Sequence, residues 1–250
     1  MKIILDPGYE KAHTAIYELI KNYELAGETL YKGRNLVKHF HTEYGEWVVK
    51  RYKRPSILQR FIYTFFRKSK AERAFIFAQK LHSLNIETPQ AIAYIEEKKC
   101  GLLSYCYFIS TVSTYSSLYP ILVEQSVYDQ SLVKALAAFL KELHCKGFLH
   151  GDSNLDNILY KGNEETGFQF AVIDTNRSKF KENPTATECL NNFKRVTHRR
   201  DLLVDIVTQY AKLRDWNVPN SVNEAIKALD KFERKDDLKK MLIPKRTKKE

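Results

Sequence analysis

His150-Gly151-Asp152-Ser153-Asn154-Leu155-Asp156-Asn157, followed by Ala171-Val172-Ile173-Asp174, is the stretch that decides the reading of this chain. Asp152 and Asn157 stand five positions apart, and Asp174 ends an apolar run after a turn-rich gap. Phosphoryl transfer calls for this set. One carboxylate orients the attacking hydroxyl, and an amide and a second carboxylate hold Mg²⁺ against the ATP phosphates. On that reading Asp152 is the base, with His150 and Asn157 in its loop, and Asn157 and Asp174 are the oxygen ligands of the metal.

The residues between them supply a geometry. Ile158-Leu159-Tyr160 and residues 168–173 read as a hairpin turning through residues 162–167. Its two ends are expected to bring Asn157 and Asp174 side by side. Upstream, residues 130–146 place Leu132, Leu136, Phe139, Leu140 and Leu143 at helical spacing, with Gly147 suited to the C′ position. A helix buried beneath the loop would hold it rigid.

Further towards the N-terminus, residues 27–38 read as two strands about a turn at Lys32-Gly33-Arg34-Asn35, which covers a nucleotide or is an ordinary hairpin. Trp47-Val48-Val49-Lys50-Arg51-Tyr52 reads as a strand. Its Lys50 either reaches the α- and β-phosphates or is a solvated edge lysine. Ser69-Lys70-Ala71-Glu72 has capping-box spacing at the start of a helix over 70–84, so Glu72 caps its own helix or pairs with Lys50. Residues 89–95 and 101–110 read as strands joined by the charged turn Glu96-Glu97-Lys98-Lys99. The run Ser110-Thr111-Val112-Ser113 reads as a linker whose backbone can meet an adenine ring. Residues 56–68 carry a broad apolar stripe, Ile57, Leu58, Phe61, Ile62, Phe65 and Phe66, beside Arg60, Arg67 and Lys68. Such a helix packs on its own domain or lies on a membrane surface. After Asp174 the chain reads as helical and basic, with helices around 202–213 and 221–234 and a solvated tail over 245–250.

Composition narrows the class. The chain has 250 residues, 44% hydrophobic and 28% charged, ordinary for a globular protein and enough for two lobes. A formal net charge of +11 points to nucleotides, nucleic acid or an acidic lipid surface, or serves solubility alone. The basic residues are scattered and no nucleic-acid-binding signature is present, which argues against a nucleic-acid partner. Cys100, Cys106, Cys145 and Cys189 have no C-x-x-C spacing, so a zinc or redox motif is not expected and a reducing compartment fits. No apolar run approaches a membrane span or a signal peptide.

The loop from His150 to Asn157, with Ile173-Asp174 beyond a hairpin, resembles the protein-kinase-like superfamily. Its H-G-D form is closer to small-molecule kinases, such as aminoglycoside and choline kinases, than to eukaryotic protein kinases. Ile173-Asp174-Thr175-Asn176-Arg177 and Asn192-Phe193-Lys194-Arg195 are similar to the bacterial lipopolysaccharide core kinases, which act on Kdo and heptose. The resemblance spans residues 27–215. It implies an α+β, two-lobed kinase-like fold, with an antiparallel-sheet N-lobe over 1–112 and a mainly helical C-lobe over 113–250. It also implies ATP and Mg²⁺ as cofactors, a sugar hydroxyl of the lipopolysaccharide core as acceptor, and peripheral work at the cytoplasmic face of the inner membrane. Lys50, Glu72, Gly33 and Ser110 would serve the nucleotide. The chain departs from the superfamily in lacking a glycine-rich fingerprint, a D-F-G and an A-P-E, and Ser153-Asn154 replaces the Lys found two after the catalytic Asp. These departures turn the reading away from a Ser/Thr protein kinase and towards a small or glycolipid acceptor. A kinase for another small molecule, an atypical protein kinase and a silent pseudokinase scaffold are the alternatives.

Overall fold

Strands with apolar alternation build the first half of the chain. In a computed structural model, which describes residues 1–242, β1 (Lys2–Leu5), α1 (His13–Lys21), β2 (Glu28–Lys32), β3 (Leu36–Thr42) and β4 (Gly45–Arg51) come first. They are followed by α2 (Ile57–Phe65), α3 (Lys70–Ser83), β5 (Ala91–Lys99) and β6 (Leu102–Thr111). The six strands form one antiparallel sheet in the order β1-β5-β6-β4-β3-β2. Period-two alternation sorts β4 between two cores. Trp47 and Val49 are buried with Ile16, Ile20 and Tyr23 on the α1 side. Lys50 falls on the other face, that of Tyr52, which packs with Ala71, Phe75 and Ala78 of α3. Ser69 caps α3, its hydroxyl accepting from the Glu72 N–H at 3.1 Å.

The second half contains β7 (Ser116–Ser117), α4 (Tyr119–Leu122), α5 (Gln130–Cys145), β8 (Phe148–Leu149), β9 (Ile158–Asn163) and β10 (Gly167–Val172). It continues through β11 (Lys179–Phe180), α6 (Ala186–Asn192), α7 (Arg200–Leu213) and α8 (Val218–Leu242). Two small sheets have the orders β10-β9-β7 and β11-β8. The core lies between α5, through Leu132, Val133, Leu136 and Leu143, and α7, through Leu203, Ile206, Val207 and Tyr210. α5 ends where the sequence predicts. Gly147 has φ +74°, and a Cβ there would meet the Lys181 carbonyl oxygen at 2.5 Å, so only glycine fits.

Contacts divide the described chain into two compact units: residues 1–114 with 171–176, and 115–170 with residues from 177 onward. Segment 171–176 is tied to the first unit. The Val172 N–H donates to Glu87 O at 3.0 Å, and Thr88 Oγ1 donates to Val172 O at 2.7 Å.

Two expectations are revised, and one strand was not anticipated. Glu96 to Lys99 is not a turn: β5 runs through Lys99 because β6 supplies ladder partners as far as Leu102, and the chain reverses at Cys100-Gly101, both at positive φ. Ser110 is not in a linker. It is buried within β6, paired with Val48 on one side and Ala91 on the other. β1, unforeseen, pairs with β5 from Lys2↔Glu96 to Leu5↔Ala93. The tail at residues 245–250 lies outside the described residues. Among the described residues no helix is long and apolar enough to cross a membrane, and all four cysteines are free thiols.

Candidate active site

The strand pair β8–β11 leads directly into the loop that begins at His150. His150 is 2% exposed, and its Nδ1 accepts the Asp152 N–H at 3.0 Å. Gly151 passes so close to the Arg177 carbonyl that a Cβ would lie 2.1 Å from its oxygen, which explains a residue without a side chain there. Asn157 Nδ2 donates to the Asp152 carbonyl at 2.8 Å, and the Asn157 N–H is held by Asn154 Oδ1 at 3.0 Å. The amide oxygen of Asn157 is therefore the atom left for a ligand.

Asn192 ties this loop down from below. Its Nδ2 donates to His150 O at 2.8 Å and its carbonyl accepts Ser153 Oγ at 2.9 Å, while its Oδ1 lies 3.2 Å from His144 Nε2. His144, buried on α5, has its Nδ1 2.8 Å from the Tyr210 hydroxyl. Burial pushes the His144 imidazole down to about 4, against a smaller upward effect of the Asn192 bond, so it is neutral at physiological pH. Nε2–H donates to Asn192 and Nδ1 accepts from Tyr210 in that neutral form.

The Asp152 carboxylate meets two arginines. Arg195 Nη1 donates to Oδ1 at 3.0 Å and Arg177 Nη1 to Oδ2 at 3.1 Å. Arg195 also stacks on Phe232, 4.6 Å from the ring centroid. Each arginine belongs to a motif that carried the family resemblance, I-D-x-x-R or N-F-K-R, yet neither was expected to touch Asp152. The same holds for Asn176 and Asn192, whose residue types say nothing of their long-range partners.

In the first unit, Lys50 Nζ lies 2.8 Å from Asp174 Oδ2 and 5.5 Å from the Tyr52 ring centroid. Asp174 adopts φ +54°, a region in which Asp is among the better tolerated residues, and its Oδ1 accepts from Asn176 Nδ2. The fully buried Tyr52 phenol is pushed well above its usual pKa by burial first and by the Asp174 charge second. Asp174 lies two residues beyond β10 and Asn157 immediately before β9, so the anticipated hairpin is present with both residues at its ends in sequence.

Each unit offers groups of the kind that a Mg²⁺-nucleotide takes, Asp174 and Lys50 in the first and Asn157 in the second. A carboxylate and an oriented amide oxygen are hard ligands, and a partly buried ammonium is suited to phosphate oxygens. The pairing of Glu72 with Lys50 does not form. Glu72 takes Lys68 at 3.0 Å, one turn away on the same side, and Lys50 takes Asp174 instead. Nor does the Glu72 side chain complete a capping box. Gly33 lies in the β2–β3 turn, its N–H on Asn35 O at 3.0 Å, and lines a cavity of about 440 Å³ with Lys32, Arg34 and Arg51.

Comparison with known proteins bears on the family and the fold. A family model described as "Lipopolysaccharide kinase (Kdo/WaaP) family" matches residues 22–217. No curated protein sequence matches the chain. Among solved structures, one titled "WaaP in complex with acyl carrier protein" is similar, with a TM-score of 0.61 at 14% identity over 95% of this chain and 98% of that one. That likeness speaks for the fold, α+β and kinase-like, and the family match for the activity, transfer of a phosphoryl group. The chain belongs to the lipopolysaccharide kinase (Kdo/WaaP) family.

Proposed function

We propose that this enzyme transfers the γ-phosphoryl group of ATP, bound with Mg²⁺, to a sugar hydroxyl of the lipopolysaccharide inner core, on Kdo or heptose. The observation that carries the reading is the fixation of Asp152. Its N–H, its carbonyl and both carboxylate oxygens all have partners within its own unit. A carboxylate held in this way is preorganised to orient a hydroxyl and take its proton late in transfer. The bound Mg-ATP supplies an activated phosphoryl group and neutralises its developing charge. Lys50 offers an ammonium to the phosphates, Asp174 a carboxylate oxygen and Asn157 an amide oxygen to the metal. Arg177 and Arg195 keep the base aimed. The acceptor is lipid-borne, so the enzyme meets it at a membrane surface.

The test is transfer of labelled phosphate from ATP, with and without a chelator, to purified core glycolipid against free sugars, aminoglycosides and peptides. Chelator-sensitive labelling of the glycolipid is expected. Labelling of peptides or aminoglycosides in its place would replace the proposed acceptor, and no labelling of any acceptor would favour the silent scaffold.

A further inference from the structure

Helix α2 faces the wrong way for a helix that serves its own core. Residues at i, i+3 and i+4 share a face, and here the face turned to the sheet is Arg60, Tyr63 and Thr64. Arg60 Nε donates to Leu103 O at 2.7 Å, and its Nη2 to Lys99 O at 2.7 Å and Leu102 O at 3.4 Å. Thr64 Oγ1 accepts the Leu103 N–H at 2.9 Å, and Tyr63 packs beside Tyr52 and Phe75. The apolar stripe points away. Ile57, Leu58, Phe61, Phe65 and Phe66 are between 47% and 77% exposed, and no residue of α2 is buried. The three phenylalanines form their own cluster, Phe61 lying 5.0 Å from Phe65 and 5.8 Å from Phe66 between ring centroids.

This arrangement is fixed rather than frayed. A capping box of Ser56 and Gln59 starts the helix, and Arg60 pins it to three carbonyls. A contiguous aromatic patch on a firmly held helix marks a surface that something else covers. Its surroundings identify the chemistry. Exposed Lys53 and Arg54 precede the helix and Arg67 and Lys68 follow it, with Glu72 the acid paired to Lys68. Lys53 and Arg54 also line the 440 Å³ cavity that holds Lys32, Arg34 and Arg51, where Glu24 pairs with Arg51. Apolar rings flanked by cations match the boundary between acyl chains and anionic headgroups. A second copy of this chain, at net +11, would bring like charge against like.

We propose that α2 is a membrane-docking element. Its phenylalanine stripe enters the interfacial region of an anionic bilayer, and the cations at its two ends meet lipid phosphates. This deepens the reading of the acceptor as a glycolipid and rests on it for purpose, though not for evidence. The experiment is co-sedimentation of the full chain with vesicles of equal parts phosphatidylglycerol and phosphatidylcholine, and with phosphatidylcholine alone. Binding to the anionic vesicles is expected, weakened by salt. The variant Phe61→Ser/Phe65→Ser/Phe66→Ser, whose thermal melt checks the fold, is expected to bind at least about ten-fold more weakly. The variant Arg54→Glu/Arg67→Glu should lose the preference for anionic lipid. Transfer to a lipid-borne core should fall with vesicle binding, while a delipidated, water-soluble core fragment is phosphorylated as before. Phenylalanine-dependent binding with no transfer to either acceptor would keep the docking surface and remove the proposed acceptor. Unchanged vesicle affinity in the triple variant would overturn the proposal. So would a stable complex of α2 with an acidic protein in the absence of vesicle binding, or self-association through the same phenylalanines.

Discussion

Two acids carry the proposed chemistry; both carboxylates sit in ion pairs, but the chain supports their backbones differently. Asp152 is built from below. Its backbone is tied to His150 and Asn157, and that loop is tied through Asn192 to a buried, neutral imidazole on α5. Asp174 is held by charge. It has one ammonium at 2.8 Å and one amide, on a backbone in the left-handed region. A group that must aim a hydroxyl needs a fixed position, which the neutral hydrogen bonds beneath its backbone give in addition to the two guanidinium contacts on its carboxylate. A group that must take a cation needs a charge whose partner can be shared, which an ion pair gives.

The largest effect should come from the fixed acid. Asp152→Ala is expected to lower turnover by about 10³-fold, within the range of a positioned general base. Nucleotide affinity, measured by titration with ATP and Mg²⁺, should change little. Unchanged turnover would remove Asp152 from its role. The charge-held acid should behave differently. Asp174→Ala and Lys50→Ala are expected to weaken nucleotide binding and lower kcat/KM by about 10²-fold each. Their double-mutant coupling in folding stability should stay under about 1 kcal/mol, as for partly exposed ion pairs. A large coupling in stability with intact ATP binding would make the pair structural and break the contrast.

The two acids also differed in how much of their setting the sequence displayed. The loop from His150 to Asn157, the hairpin after it and the helix before it are local features, and each appears as expected, down to Gly147 at the end of α5. The strand placing Lys50 was equally legible through its alternation. Long-range partners were not. Nothing in the spacing of Glu72 distinguishes a pair with Lys50 from one with Lys68, and the nearer lysine on its own side takes it. Ser110 looked like a linker because its neighbours are small and polar. A central strand hydrogen-bonded on both sides tolerates such residues when its ladder is complete. The apolar period of residues 56–68 correctly gave a helix, yet a period shows only that a stripe exists. Which face meets the protein was decided by Arg60 and the carbonyls at the β5–β6 end, far away in sequence.

Acid should separate the two supports. The folded chain keeps His144 neutral down to about pH 4, whereas the same residue in the unfolded chain takes a proton near 6.5. Between those values the unfolded state binds more protons, so stability is full above about 6.5 and falls as pH drops towards 4. From pH 7 to pH 5 the loss from this one group is about 2 kcal/mol. His144→Gln, which no longer titrates, should show a smaller drop in denaturant midpoint over that range. An identical drop would assign the acid sensitivity elsewhere. The network beneath Asp152 runs through His144, so activity should decline in acid ahead of ATP binding.

The smallest effects test what the two arginines do for Asp152. Each gives its carboxylate one hydrogen bond, but the Arg195 side chain is 32% exposed and backed by Phe232, whereas Arg177 is 42% exposed. A charge-assisted bond weakens as solvent screens it, and a stacked guanidinium is already ordered before it pairs. Arg195→Ala is therefore expected to lower kcat by about ten-fold and Arg177→Ala by about three-fold, with KM for ATP unchanged in both. Arg195→Lys should recover little, because it restores the charge without the planar fork. Equal losses at the two positions would mean that net charge near Asp152 matters and burial does not. A rise in turnover on removing either arginine would reverse its role: the guanidinium would then be competing with the acceptor hydroxyl for the same carboxylate oxygen, and the fixation of Asp152 would be a restraint on the enzyme rather than its preparation.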